Sequence, residues 1–113
     1  MIKFFCDIEG LQENWIGVSD SWTQAEAKAA DDAMSGGWSD YLKFLSGKVE
    51  SCNLIVNDSV IDDFSSIKEG TVDMMDLRLV GFIGGILQNA VMRLRALGNA
   101  SARVSSPTVA GKK

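Results

Sequence analysis

Few side chains in this chain of 113 residues could do chemistry, and their spacing narrows the options further. It has no histidine. That removes histidine-based triads, histidine acid–base catalysis and histidine metal ligands. Cys6 and Cys52 stand far apart in sequence and cannot make a zinc site alone; both sit in apolar, strand-like surroundings and read as small core residues. The carboxylates cluster as Asp31-Asp32, Asp62-Asp63 and Asp73 with Asp76. Two carboxylates three residues apart share a helix face and could hold a hard cation weakly. The stronger reading gives Asp73 and Asp76 to a helix dipole and leaves the other pairs solvated. Gly36-Gly37 and Gly81-x-x-Gly84-Gly85 lack the preceding strand and the Lys-Ser/Thr of a phosphate loop, so they read as structural. No catalytic residue, metal or cofactor is expected.

Charge is the most uneven property. All fifteen acidic residues lie in residues 1–76, opposed there by five basic ones. Residues 77–113 carry only Arg78, Arg93, Arg95, Arg103, Lys112 and Lys113, and the whole chain has a net charge of −4. Such a chain can attract an acidic partner or associate with copies of itself. Six charges over so long a segment are sparse for nucleic acid, which is disfavoured as a partner. Trp15, Trp22 and Trp38 read as core residues, with a protein interface as the alternative. The run Phe4-Phe5-Cys6, stopped by Asp7 and Glu9, is too short for a secretory signal core. Leu79 to Ala90 falls short of the ~20 apolar residues of a membrane span, so no membrane association is expected.

The elements that would position these residues follow from periodicity. Ile2 to Ile8 alternates as a half-buried strand, and Trp15 to Val18 is a second short strand. Ser21 or Thr23 can cap a helix from Trp22 to Ala33, each with a capping-box partner three residues on. Its apolar stripe is Trp22, Ala25, Ala29 and Ala33. Trp38 to Leu45 makes a second helix on Trp38, Tyr41, Leu42 and Leu45. From Val49 the period becomes two, with Cys52, Leu54 and Val56 on one face. Asn57-Asp58-Ser59 signals a turn into a short strand at Val60-Ile61, and residues 62–70 read as a loop. Val72 to Leu97 predicts one long helix capped by Thr71 and stopped by Gly98-Asn99, about 39 Å long. Gly81, Gly84 and Gly85 inside it either permit close packing or mark a break. Residues 1–97 thus form one α+β domain, a sheet of two to four strands with two short helices and one long C-terminal helix. Residues 98–113 form a flexible tail.

Three segments, Trp22-Thr23-Gln24-Ala25-Glu26, Trp38-Ser39-Asp40-Tyr41-Leu42 and Leu97-Gly98-Asn99-Ala100-Ser101, appear in an order that resembles one group. These are the small tail assembly chaperones and related tail-module proteins of long-tailed bacteriophages. The resemblance implies a non-enzymatic protein of the host bacterial cytoplasm or the virion that binds the tape-measure protein or another tail component. The expected contact residues are Val80, Ile83, Leu87, Val91 and Leu94 on the long helix, with Arg93, Arg95 and Arg103 steering an acidic partner. A homo-oligomer is expected. The alternative is a bacterial cytoplasmic adaptor or small homo-oligomeric module whose long helix pairs with itself.

Overall fold

A computed structural model describes residues 1–101 of the chain. The elements run β1 (Ile2–Phe5), β2 (Trp15–Val18), α1 (Gln24–Ser35), α2 (Trp38–Ser46), β3 (Val49–Val56) and β4 (Ser59–Ile61). A 3-10 turn (Phe64–Ser66) follows, then α3 (Glu69–Asp73), α4 (Leu77–Gly84) and α5 (Ile86–Ser101). The fold is α+β. Its four strands make an antiparallel sheet in the order β1-β2-β3-β4, with α1 and α2 inserted between the two middle strands.

Period-two alternation decides what each strand buries. Phe4 pairs with Ile16, Ile16 with Cys52, and Leu54 with Ile61, so these residues share one face. Ile16, Val18, Cys52, Leu54 and Val56 are buried there against Ala30, Leu45, Leu79, Ile83 and Leu87 of the helices. The β3–β4 connection has Asn57 and Asp58 at φ of 51° and 64°. Two residues with positive φ between paired strands make a hairpin turn whose twist matches the sheet, and Asn and Asp tolerate that conformation best after glycine. Asn14, a buried polar residue, continues the sheet where backbone pairing stops. Its amide donates to the Leu11 carbonyl at 2.9 Å and its Oδ1 accepts from the Ile55 N–H at 2.7 Å.

The cap expected at Thr23 forms in both directions. Thr23 N–H donates to Glu26 Oε1 at 2.8 Å, and Glu26 N–H donates to Thr23 Oγ1 at 3.1 Å. Glu26 also takes a hydrogen bond from Lys48, which holds its carboxyl below the usual range and ties the start of α1 to the entry of β3. The helix begins at Gln24 rather than Trp22, and its stripe is in a different phase. Ala27, Ala30 and Ala33 are buried, while Ala25 and Ala29 are exposed. Five alanines at mixed spacing offer two faces of nearly equal hydrophobicity, and packing on α2 and α5 selects between them.

The long helix expected from Val72 to Leu97 is present but starts at Leu77, after the separate short α3, and runs as α4–α5 through a one-residue irregularity at Gly85 past Asn99. Thr71 lies inside the short α3, and Asp76 caps α4, its carboxylate accepting from the Arg78 N–H at 2.8 Å. Between α4 and α5 a side chain interrupts the ladder. In place of a backbone bond from Leu87 to Ile83, the buried Tyr41 hydroxyl donates to the Ile83 carbonyl at 2.5 Å and accepts from the Leu87 N–H at 3.3 Å. A group inserted into the i to i−4 ladder is an established cause of a helix kink. The backbone bonds Gly85 to Gly81 and Asn89 to Gly85 carry the helix across on the other side. At the far end, Gly98 keeps a right-handed conformation and α5 continues to Ser101, past the stop expected at Leu97. A helix-interior glycine costs only about 1 kcal/mol against alanine. Residues 102–113 of the expected tail lie outside the described residues.

Removing the Tyr41 hydroxyl tests this junction. Tyr41→Phe deprives two buried backbone groups of their partner and should cost about 1–3 kcal/mol by urea unfolding, with faster amide exchange at Leu87. Burial also raises the Tyr41 pKa above its ordinary 10.0. The folded state therefore prefers the protonated phenol. The stability linked to it is intact below the ordinary value and is lost as pH rises through the higher folded pKa, a loss the phenylalanine variant should not show. Equal unfolding midpoints for the two proteins would show that the junction does not depend on the hydroxyl.

Candidate functional site

Each group singled out for chemistry has a structural position. Cys6 and Cys52 are free and buried. Burial, followed by the charges of Asp62 and Asp63, pushes the Cys52 thiol up to about 11, far from a nucleophile's range. Asp63 caps the 3-10 turn, and its bonds to Ser65 hold its carboxyl low. Asp76 is held at about 2 by the Arg78 guanidinium and backbone, in a two-pronged contact of 2.9 and 3.1 Å. Asp73 closes α3 instead of opening a long helix, and Asp31 and Asp32 are exposed on α1. Among the described residues, no three metal-ligating side chains come together. A groove of about 570 Å³ between α2 and α3 is open and lined by Ser39, Lys43, Ser46, Ser65, Lys68 and Glu69 among others.

The residues expected to contact a partner divide by face. Ile83, Leu87 and Val91 are buried in the core and unavailable to any partner. Val80 is half-buried and packs at the core's edge. Leu94, also half-buried, lines a small groove of about 170 Å³ with Trp22, Ala27, Val91 and Arg95. Arg93 and Arg95 are exposed, and Arg103 lies outside the described residues. The stripe read from the sequence is therefore the side on which the helix docks onto its own domain. Its opposite side presents Leu77 at 82% exposure and Met92 at 59%, together with Gly81, Gly84, Gln88 and Asn89. Leu77–Asn99 is long and apolar enough to cross a membrane by length and composition, which the count from Leu79 to Ala90 had understated. About a third of that window is buried in the domain.

A second apolar surface was not recognised from the sequence. Phe5, Trp15, Ile55 and Val60 lie on the sheet face turned away from the helices, and none joins the core cluster. Phe5 is paired with Trp15, and Ile55 with Val60. The Lys3 ammonium lies 4.3 Å from the centre of the Trp15 ring, a cation–π contact that fixes the indole while leaving its neighbours open. Phe5 and Val60 are 57% and 62% exposed. The signal was present in Phe5, an apolar residue on the polar side of the first alternating strand. Trp22 and Trp38 instead pack inward, edge-on to Phe44 and Tyr41 at 5.8 and 5.3 Å.

Compared with protein-family models, curated proteins and solved structures, the chain finds no match in any of the three.

The burial of the thiols has a direct chemical consequence. A thiol whose pKa stands near 11 instead of 9.0 carries roughly 100-fold less thiolate at neutral pH. Cys52 should alkylate with iodoacetamide at least that much more slowly in the native protein than in urea, and buried Cys6 should also be protected. Native labelling at the rate of a free thiol would contradict this packing.

Proposed function

We propose that this protein is a non-enzymatic protein-binding factor in the tail assembly of a long-tailed phage or prophage, acting in the host bacterial cytoplasm. The observation that carries the reading is the apolar surface left outside the core on the open sheet face. Small domains seldom expose several large apolar side chains side by side unless another surface covers them. Phe5, Trp15, Ile55 and Val60 supply an aromatic-centred patch of the kind that anchors protein interfaces, with Lys3 at its edge. The likeness of the Trp22–Glu26, Trp38–Leu42 and Leu97–Ser101 segments to tail assembly proteins supplies the partner class. That partner is the tape-measure protein or another tail component. The exposed helix side favours a second reading, a small homo-oligomeric interaction module.

Titration calorimetry against the tape-measure protein and the other tail proteins of the same genome tests the proposal. One of them should bind with a dissociation constant below ~10 μM, about 7 kcal/mol of binding free energy. The double variant Phe5→Ser and Val60→Thr should weaken that binding at least tenfold with an unchanged unfolding temperature, because both side chains are exposed. Absence of binding to every tail protein at ~100 μM would refute the function. Undiminished binding by the double variant would move the contact off the sheet face.

A further inference from the structure

We propose that the free edge of β1 pairs with the same edge of a second copy of this chain, strand to strand and antiparallel, with Phe5 opposite Phe5. This pairing does not depend on the tail-assembly reading. β1 stands at one end of the sheet order, so one of its edges has no strand beside it. The hydrogen-bond phase shows which residues face that edge. Cys6 N–H donates to the Asn14 carbonyl at 3.0 Å, so the main-chain groups of Cys6 turn toward β2. In an antiparallel ladder successive residues turn their main-chain groups to opposite sides. Those of Lys3, Phe5 and Asp7 therefore turn outward, where among the described residues no strand meets them. A row of unmatched N–H and C=O groups is a template for another extended chain.

Charge identifies that chain as another β1. Lys3, Phe5 and Asp7 alternate with Ile2, Phe4 and Cys6, and all three are exposed. Centred on Phe5, an antiparallel pair sets Lys3 of each copy directly opposite Asp7 of the other, on the same face as well as at the same edge. Opposite charges at directly opposed positions stabilise a sheet, and like charges weaken it. Centring the pair on Lys3 or on Asp7 would oppose like charges. The Lys3 ammonium lies 4.3 Å from the centre of the Trp15 ring, and its N–H donors leave it able to meet a carboxylate as well. The other edge strand does not match itself in this way. A symmetric pair of β4 strands about Val60 would bring Asp58 toward Asp62 of the other copy, carboxylate to carboxylate.

Apolar burial adds to the main-chain bonds. Phe5 is 57% exposed in the single domain. At the centre of the pair its ring meets the ring of Phe5 in the other copy, with Trp15 of each copy next in the row. Aromatic pairs across strands stabilise a sheet beyond their backbone bonds. The two sheets then form one continuous sheet, and the Phe5 and Trp15 side chains of both copies form one aromatic row at its middle. Pairing also closes an edge that would otherwise accept strands indiscriminately.

Exchanging the charges at Lys3 and Asp7 in the full chain decides the matter. Sedimentation equilibrium of the unmodified protein should show a dimer at ~100 μM. Lys3→Asp and Asp7→Lys each oppose like charges in this register, and each should raise the dissociation constant about tenfold or more. Combining them in one chain restores opposite charges, and the double variant should return to within about threefold of the original. Both side chains are exposed, so the circular dichroism spectrum should not change. Amide exchange reads the edge directly. At ~100 μM the Phe5 amide should exchange about tenfold or more slowly in the unmodified protein than in Asp7→Lys, whose edge stays bare. A monomer at that concentration would overturn the proposal and leave the edge to an extended segment of another protein. A dimer untouched by either single variant would overturn it too. So would a dimer that the double variant fails to restore, or one whose Phe5 amide exchanges as fast as in Asp7→Lys.

Discussion

The structure turns on one hydroxyl group. Tyr41 enters the helical ladder between Ile83 and Leu87, taking the carbonyl of one and the N–H of the other. Its backbone belongs to α2, which follows the α1 cap and leads into β3. The same group therefore joins the inserted helical pair to the long C-terminal helix at the junction of α4 and α5. Both hydrogen bonds are buried, so leaving either group unpaired carries a desolvation penalty. Ile83, Ile86 and Leu87 surround the junction, each almost fully buried. Trp38 packs edge-on against the Tyr41 ring, so the ring's orientation is set by packing as well as by polarity.

Fixing the helix in this way commits one side of it to the core and leaves the other outside. A four-stranded sheet with helices on one face likewise buries only half of its side chains. Among the described residues, two surfaces are thus left uncovered by the domain's own elements. The sheet surface is aromatic and rigid, held by strand pairing and by Lys3 over Trp15. The helix surface is smooth and basic toward its C-terminal end. They differ enough in shape and charge to serve different partners.

Short-range features of this fold were legible in the sequence because their causes are short-range. The Thr23–Glu26 cap, the β3 alternation through Cys52, Leu54 and Val56, the Asn57-Asp58 turn and the α2 face of Tyr41, Leu42 and Leu45 all depend on residues within a few positions of one another. The acidic and basic halves were equally plain, as was the lack of histidine. The core stripe Leu79, Ile83, Leu87 and Ala90 was readable as apolar. The sequence did not say that the domain itself would consume that stripe, leaving Leu77, Met92 and the glycines on the solvent side.

Tertiary structure decided what depended on distant contacts. Tyr41 and Ile83 are 42 positions apart, and no local pattern marks a hydroxyl that will interrupt a helix at that distance. The phase of the alanine helix, the start of α4 at Asp76 rather than Thr71 and the burial of Asn14 against Ile55 were each settled by which neighbour packed there. Propensity and capping preferences differ by about 1 kcal/mol or less between such alternatives. Burial of a single large side chain contributes more than that, so long-range packing prevails wherever local preference is nearly balanced.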